Sequence, residues 1–301
     1  MKELYAKLQT VLDDSQIRQN EPLSRHTTFR TGGPADWFLM PKEEQIAPLF
    51  KLLSQEEIPV AVIGNGSNLL AGDGGYRGAV IEIGRQMDAI TVDGDRVTVQ
   101  AGALLSKAAS LACQASLTGM EFAAGIPGSL GGAVVMNAGA YGGEMKDIVR
   151  TVRLLTPEGE ITERTAGQMQ FGYRTSCVAA EGAVVLSAVL QLRQGEVSEI
   201  RATMDALKEK RVTKQPLEYP SAGSTFKRPE GYFAGKLIED AGLRGYRVGD
   251  AQVSEKHCGF VVNRGHATAA DVMAVIRHVQ RTVKEQYQVE LETEVKMLGE
   301  F

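Results

Sequence analysis

Residues 125–144 read GIPGSLGGAVVMNAGAYGGE. Gly125, Gly128, Gly131 and Gly132 precede a run of small apolar residues, and Pro127 fixes one turn. Glycine lets backbone approach a ligand closely or adopt positive φ. Two readings are open. In one, the N–H groups of Ser129 to Gly132 open a helix and face an anion, and the Ala and Gly that follow let a flat ring lie against the backbone. In the other, the small residues serve tight helix packing.

A second glycine loop lies about sixty residues upstream, in VIGNGSNLL, Val62 to Leu70. It invites a dinucleotide fingerprint and fails it. Leu69 stands where the third glycine belongs, and a Gly-rich loop and a strand follow instead of a helix. A strand, a tight loop of Gly, Asn and Ser and another strand can still cradle a pyrophosphate with backbone N–H groups. The bland alternative is a plain hairpin loop. Together the two loops suggest one large dinucleotide across two subdomains, and FAD suits that footprint better than NAD.

The surrounding pattern is mixed. Helices are expected near 1–14, Glu43 to Gln55, 104–117, 196–211, Phe233 to Ala241 and Ala269 to Tyr287. The third carries an apolar stripe at Leu104, Ala108, Leu111 and Ala115. The last carries one at Val272, Ile276, Val279 and Val283. Strands are expected at PVAVIG, AVIEI, RVTVQAGA, VVLSAVLQLR and CGFVVN, with a hairpin around PEGE. The terminal VELETEVKML alternates, with Val289, Leu291, Thr293, Val295 and Met297 on one face and Glu290, Glu292, Glu294 and Lys296 on the other.

The formal net charge of -4 gives no basic nucleic-acid footprint, so local cations must hold any anionic ligand. The cysteines Cys113, Cys177 and Cys258 are sparse and lack CxxC spacing. That argues for a reducing compartment and against a disulfide frame or zinc site. The four histidines are too scattered to suggest a metal. The N-terminal segment lacks the apolar core of a signal peptide, and no run approaches membrane-spanning length. A cytoplasmic protein is expected.

One further loop stands out. YPSAGSTFKRP, Tyr219 to Pro229, sets small hydroxyl residues and two cations between prolines. It is an ordinary turn, or it holds an anionic substrate and offers it a proton.

The segments TTFRTGGPA, IGNGSNLL, GIPGSLGGAVVMNAGAYG, FGYRTS, AGSTFKRP and LETEVKMLG occur in this order from about Leu23 to Gly299. The chain thereby resembles the UDP-N-acetylenolpyruvoylglucosamine reductases, or UDP-N-acetylmuramate dehydrogenases, of bacterial cell-wall synthesis. The spacing of the Arg and Ser motifs, without an extra Tyr-bearing segment, resembles their shorter second subtype. The resemblance implies an α+β fold: a two-subdomain FAD-binding region of the vanillyl-alcohol-oxidase type and a C-terminal α+β substrate-binding domain. The expected division is 1–29 as lead-in, 30–195 for FAD, split near 84, and 196–301 for substrate.

The resemblance implies non-covalent FAD, NADPH as reductant and the enolpyruvyl ether of UDP-N-acetylglucosamine as acceptor, with no obligate protein partner. Arg174, Ser224 and Glu294 are the catalytic positions carried over. A guanidinium suits a carboxylate, a Ser hydroxyl can donate a proton to a carbanion-like centre, and a Glu can share developing charge. Taken alone, each is as readily a surface cation, a turn serine or a solvated strand carboxylate. Flavin contacts are expected at Gly64, Asn65, Gly66, Ser67, Asn68, Leu69, Gly125, Ile126, Pro127, Gly128, Ser129, Gly131, Gly132, Asn137, Ala138 and Gly139. Substrate contacts are expected at Tyr173, Lys227, Lys256 and His257. The rivals are another FAD-dependent oxidase of the same fold, marked by peroxide formation, and a nucleotide-binding protein without catalysis, marked by no turnover.

Overall fold

The strand Val184–Gln191 is buried along most of its length because it is central in an antiparallel sheet. The sheet runs Ile161–Thr165, Val149–Leu155, Val184–Gln191, Arg96–Gln100 and Ile90–Asp93. Its register pairs Val152 with Ala188 and Val189 with Thr98. Its sequence, VVLSAVLQ, supplies the apolar and small residues that such a buried strand needs. The helices Leu105–Gln114 and Leu130–Val135 contribute to the same core. The computed structural model describes residues 2–301.

That sheet belongs to the first of two units, which comprises the segment up to Arg18, Trp37–Asn65 and Gly78–Arg211. Within it, Val60–Ile63 pairs in parallel with the strand that includes Ala79–Glu82. The helix Glu43–Gln55 buries Ile46, Leu49 and Leu53, as its period predicts. Leu49 and Leu53 join Leu8, Trp37 and Ile81 in a smaller core. The leading helix is short, Lys2–Leu8; the expected start at Met1 lies outside the described residues. In Leu105–Gln114 the buried stripe is Leu105, Ala108, Ala109 and Ala112, while Leu104 is exposed. Leu104 is the extended N-cap, so its side chain leaves the helical face that the spacing had given it.

The second unit comprises Gln19–Asp36, Gly66–Arg77 and Val212–Phe301. The strands Arg247–Val248, Ala251–Val253 and Val261–Asn263 form an antiparallel sheet. The helix Ala269–Tyr287 buries Val272, Ile276, Val279 and Val283 in the same core. Thr268 caps it by accepting from Asp271 N–H, and Asp73 accepts from Ala269 and Ala270 N–H. Phe29 and Leu70 are fully buried in this core, which accounts for the two early segments. Asn263 Nδ2 adds a bond to Phe29 O at 3.0 Å.

The units cut across the expected continuous boundaries. Residues 196–211 fall in the first unit, where Met204 of the helix Val197–Lys214 packs on the large core. The chain's end also departs from its alternation. Only Lys296–Leu298 is strand, in parallel with Leu69–Ala71. Val295 lies in a bend, Glu294 and Val295 are both buried, and Met297 is exposed. Glu294 is therefore not on a solvated polar face. Among the described residues no helix is long and apolar enough to cross a membrane.

Candidate active site

The two glycine loops meet inside the first unit. A Cβ on Gly64 would fall 2.3 Å from Ser129 Oγ, and Asn65 Nδ2 donates to Pro127 O. Close approach is thus what the glycine at 64 provides. The N–H groups of Leu130 and Gly131 donate to Ala103 O and Ala101 O, at 2.9 and 2.8 Å. Those two donors hold the loop to the protein, a different use from the anion cradle expected of them. Gly131 is pressed on Ala101, with an ideal Cβ 3.0 Å from Ala101 Cβ. Gly132 differs, because a Cβ there would meet only Ser129 Oγ, at 3.9 Å. Gly125 O accepts from Arg211 Nη1, and Ile126 N–H from the same loop donates to Ala123 O. Burial holds the Arg211 guanidinium below its usual range. Arg211 lies inside the helix expected near 196–211, where nothing local marks it as a loop partner.

The rest of the upstream loop lies in the second unit. Gly66 has φ +60, and a Cβ there would fall 1.9 Å from His26 O. Ser67 is half-buried in a turn. Asn68 Nδ2 donates to Glu294 O at 3.1 Å, and Leu69 pairs with Lys296.

Arg174 occupies the third position of a tight turn. Gly172 and Thr175 exchange backbone bonds of 3.0 and 3.4 Å around Tyr173 and Arg174. Arg174 has φ +56, a region that a long side chain rarely takes and that clusters at functional sites. Its Nη2 donates to Gly139 O at 3.3 Å, and its Cζ lies 5.5 Å from the exposed Tyr173 ring. Asn137 is 1% exposed. Its Nδ2 donates to Glu144 Oε2 and Gly172 O, and its Oδ1 accepts from Lys146 N–H. Ala138 is buried beside it and donates its N–H to Ala133 O. Glu144 was missed in the sequence, since nothing local distinguishes one hairpin carboxylate from another. Lys146 first, then Asn137 and the charge of Arg174, hold its carboxyl below the usual range.

In the second unit, Ser224 sits half-buried between Gly223 and Thr225. Gly223 has φ +73, and a Cβ there would meet nothing within 4 Å. Thr225 is fully buried and does three things. Its N–H donates to Gly259 O, its Oγ1 accepts from Val261 N–H, and its carbonyl accepts from Glu294 N–H at 2.8 Å. Phe226 bridges Thr293, and Lys227 N–H donates to Glu292 O. This short antiparallel pairing sets buried Glu294 beside the loop of Ser224. Thr225, the anchor of that loop, was read only as one of its small hydroxyls.

The expected substrate cations have protein partners. Lys227 Nζ pairs with Glu292 Oε2 at 2.8 Å, and Lys256 Nζ donates to Val212 O at 2.7 Å. His257 Nδ1 accepts from Gly259 N–H at 3.1 Å, its ring edge-on to Phe260. Burial pushes the His257 imidazole below its usual range, so the neutral ring is favoured.

Comparison with known proteins bears on both units. Residues 37–165 match the FAD binding domain family, and residues 215–298 match the C-terminal domain of UDP-N-acetylenolpyruvoylglucosamine reductase. The chain is 56% identical over 297 residues to the UDP-N-acetylenolpyruvoylglucosamine reductase of Agathobacter rectalis, covering 95% of each chain. It is 52% identical over 300 residues to the enzyme of that name from Clostridioides difficile, covering 99% of each. The crystal structure of the UDP-N-acetylenolpyruvylglucosamine reductase from Thermus caldophilus superposes with a TM-score of 0.82 at 36% identity. That match covers 94% of this chain and 99% of the other.

Proposed function

This chain belongs to the UDP-N-acetylenolpyruvoylglucosamine reductases, an oxidoreductase family of peptidoglycan synthesis with an FAD-binding domain, and from that premise we propose that it reduces the enolpyruvyl ether of UDP-N-acetylglucosamine with NADPH, using Ser224 as the proton donor. The observation that carries the proposal is the pairing of the Ser224 loop with a buried carboxylate. Glu294 is 9% exposed and its N–H is bonded to the carbonyl of Thr225, the residue after Ser224.

The residues of the first unit fit FAD. Gly64 and Asn65 lie against Pro127 and Ser129, and the space in front of Gly132 is one that a Cβ would fill. We assign the flavin contacts of this unit to those residues and to the segment 125–139, in which Asn137, its amide already bonded to protein, contributes backbone alone. When bound, FAD takes up reducing equivalents from NADPH and supplies a hydride to the terminal carbon of the enolpyruvyl group. Arg174 binds the substrate carboxylate with its planar fork and stabilises the negative charge that spreads into it. Ser224 Oγ–H gives its proton to the carbon that carries the ether oxygen and the carboxylate. Glu294 orients that donor or shares the charge. Lys227 and Lys256 supply positive charge for the diphosphate, exchanging their present partners for it, and neutral His257 adds a donor through Nε2. Tyr173 packs on the sugar nucleotide with its exposed ring.

Anaerobic spectroscopy tests the reading. The purified protein is expected to be yellow, to release FAD on acid treatment, to bleach with NADPH and to regain its colour when the enolpyruvyl sugar nucleotide is added. A protein that cannot be loaded with FAD refutes it. Recolouring only by oxygen, with peroxide formed, would assign the chain to an oxidase instead.

A further inference from the structure

The end of the helix Leu130–Val135 gives Asn137 an unusual position. Met136 is the C-cap, and Asn137 follows with φ +43. Glycine is the common residue at that left-handed position and asparagine the second choice. A cap explains the backbone but leaves the side chain unaccounted for. That side chain is almost wholly buried, and its amide ties three segments together. Nδ2 donates to Gly172 O at 3.0 Å, at the root of the turn that carries Arg174. Nδ2 also donates to Glu144 Oε2 at 2.8 Å, in the short strand Gly143–Glu144, and Oδ1 accepts from Lys146 N–H at 2.9 Å, in the helical turn that follows. Ser176, directly after the turn, donates Oγ–H to Val135 O at 2.8 Å and closes the other side.

Arg174 itself leans into the same structure. Its guanidinium donates to Gly139 O, two residues beyond Asn137, and it lies within the field of Glu144. A residue at φ +56 persists only where its surroundings over-determine it. Here the surroundings on the Gly172 side are the Asn137 amide.

We propose that Asn137 is a positioning residue for Arg174: its buried amide fixes the Gly172–Thr175 turn and aligns Glu144 so that the guanidinium is presented in one orientation. The inference rests on the proposed role of Arg174 in binding the substrate carboxylate. It gives Asn137 a part in the second half-reaction in place of a side-chain contact to flavin.

Asn137→Gly isolates the side chain, because glycine keeps the left-handed backbone at least as well. Displacement of a binding group can cost about a hundredfold in rate, and loss of that order is expected when the reduced variant is reoxidised by the enolpyruvyl sugar nucleotide. FAD affinity and reduction by NADPH should stay within about twofold, the tolerance for uncoupled sites. In an Arg174→Ala background, Asn137→Gly should add no further loss. Side-chain NMR of the FAD-loaded protein, with labelled arginine, should show the Arg174 Nε–H group ordered in the wild type and mobile in Asn137→Gly. Equal losses in both backgrounds, weakened FAD binding or an unchanged NMR signal would each overturn the proposal. If Arg174→Ala is itself without effect on reoxidation, the assigned role of Arg174 fails, while the NMR comparison still decides whether Asn137 orders it.

Discussion

Gly131 and Gly132 are adjacent, small and in the same helix, yet they serve different ends. A Cβ on Gly131 would crowd Ala101, whereas one on Gly132 would make only an ordinary contact with Ser129 Oγ. Gly131→Ala should destabilise the protein. Gly132→Ala should leave the FAD-depleted protein intact, or more stable by up to about 1 kcal/mol because alanine favours helix. FAD titration should then show a dissociation constant raised about tenfold, or 1.4 kcal/mol. Wild-type affinity in Gly132→Ala would place the flavin elsewhere. In the proposed function the two readings open in the sequence, ligand approach and tight packing, divide between these neighbours. Spacing alone cannot separate them, because the atoms that crowd Gly131 belong to Ala101, just past a strand end thirty residues earlier. The catalytic candidates were legible only through resemblance. Nothing within FGYRTS states that Arg174 takes positive φ, and nothing in LETEVK states that Glu294 is buried.

Among the elements, two helices were legible closely in the sequence. Glu43–Gln55 and Ala269–Tyr287 stand where the 3.6-residue pattern puts them. The terminal segment was not, since a pattern of period two continues on paper through a bend that tertiary pairing imposes at Val295. The pairing that holds Glu294 depends on Thr225. Thr225→Val keeps the shape but leaves the buried Val261 N–H without its acceptor. A loss of about 1–3 kcal/mol in urea unfolding is expected, and a loss below about 0.5 kcal/mol, the usual scatter of surface changes, would contradict it. The neighbouring His257 carries a pH signature. Its folded-state pKa lies below that of the unfolded chain, about 6.5, so the unfolded chain takes up the proton first as pH falls. The stability contributed by the neutral ring is full above that value and is lost as pH drops through it toward the folded pKa. Protonation also puts a hydrogen on Nδ1, where Gly259 N–H now points. The urea midpoint should therefore fall more between about pH 7.5 and pH 5.5, a span around that pKa, in the wild type than in His257→Gln. Parallel curves would remove His257 from the account.

At the level of the whole molecule, the chain passes between its two units at Arg18, Asp36, Asn65, Arg77 and Arg211. Several of these points fall inside strands, where composition does not change, so no linker marks them in the sequence. The cores mark them instead: Phe29 and Leu70 pack with residues beyond Val212, and Met204 packs with the large sheet. In the proposed function, flavin reduction falls to the glycine loops of the first unit and proton delivery to Ser224 of the second. Those two functions separate in time, which makes them separable by experiment. Ser224→Ala removes the hydroxyl and leaves Thr225, the buried anchor of the loop, in place. Stopped-flow absorbance should show NADPH reducing the bound flavin in this variant at close to the wild-type rate. Reoxidation by the enolpyruvyl sugar nucleotide should slow at least as much as the roughly 10²–10⁴-fold range of a general acid. Reoxidation within about tenfold of wild type, well below that range, would contradict the assignment of the proton to Ser224.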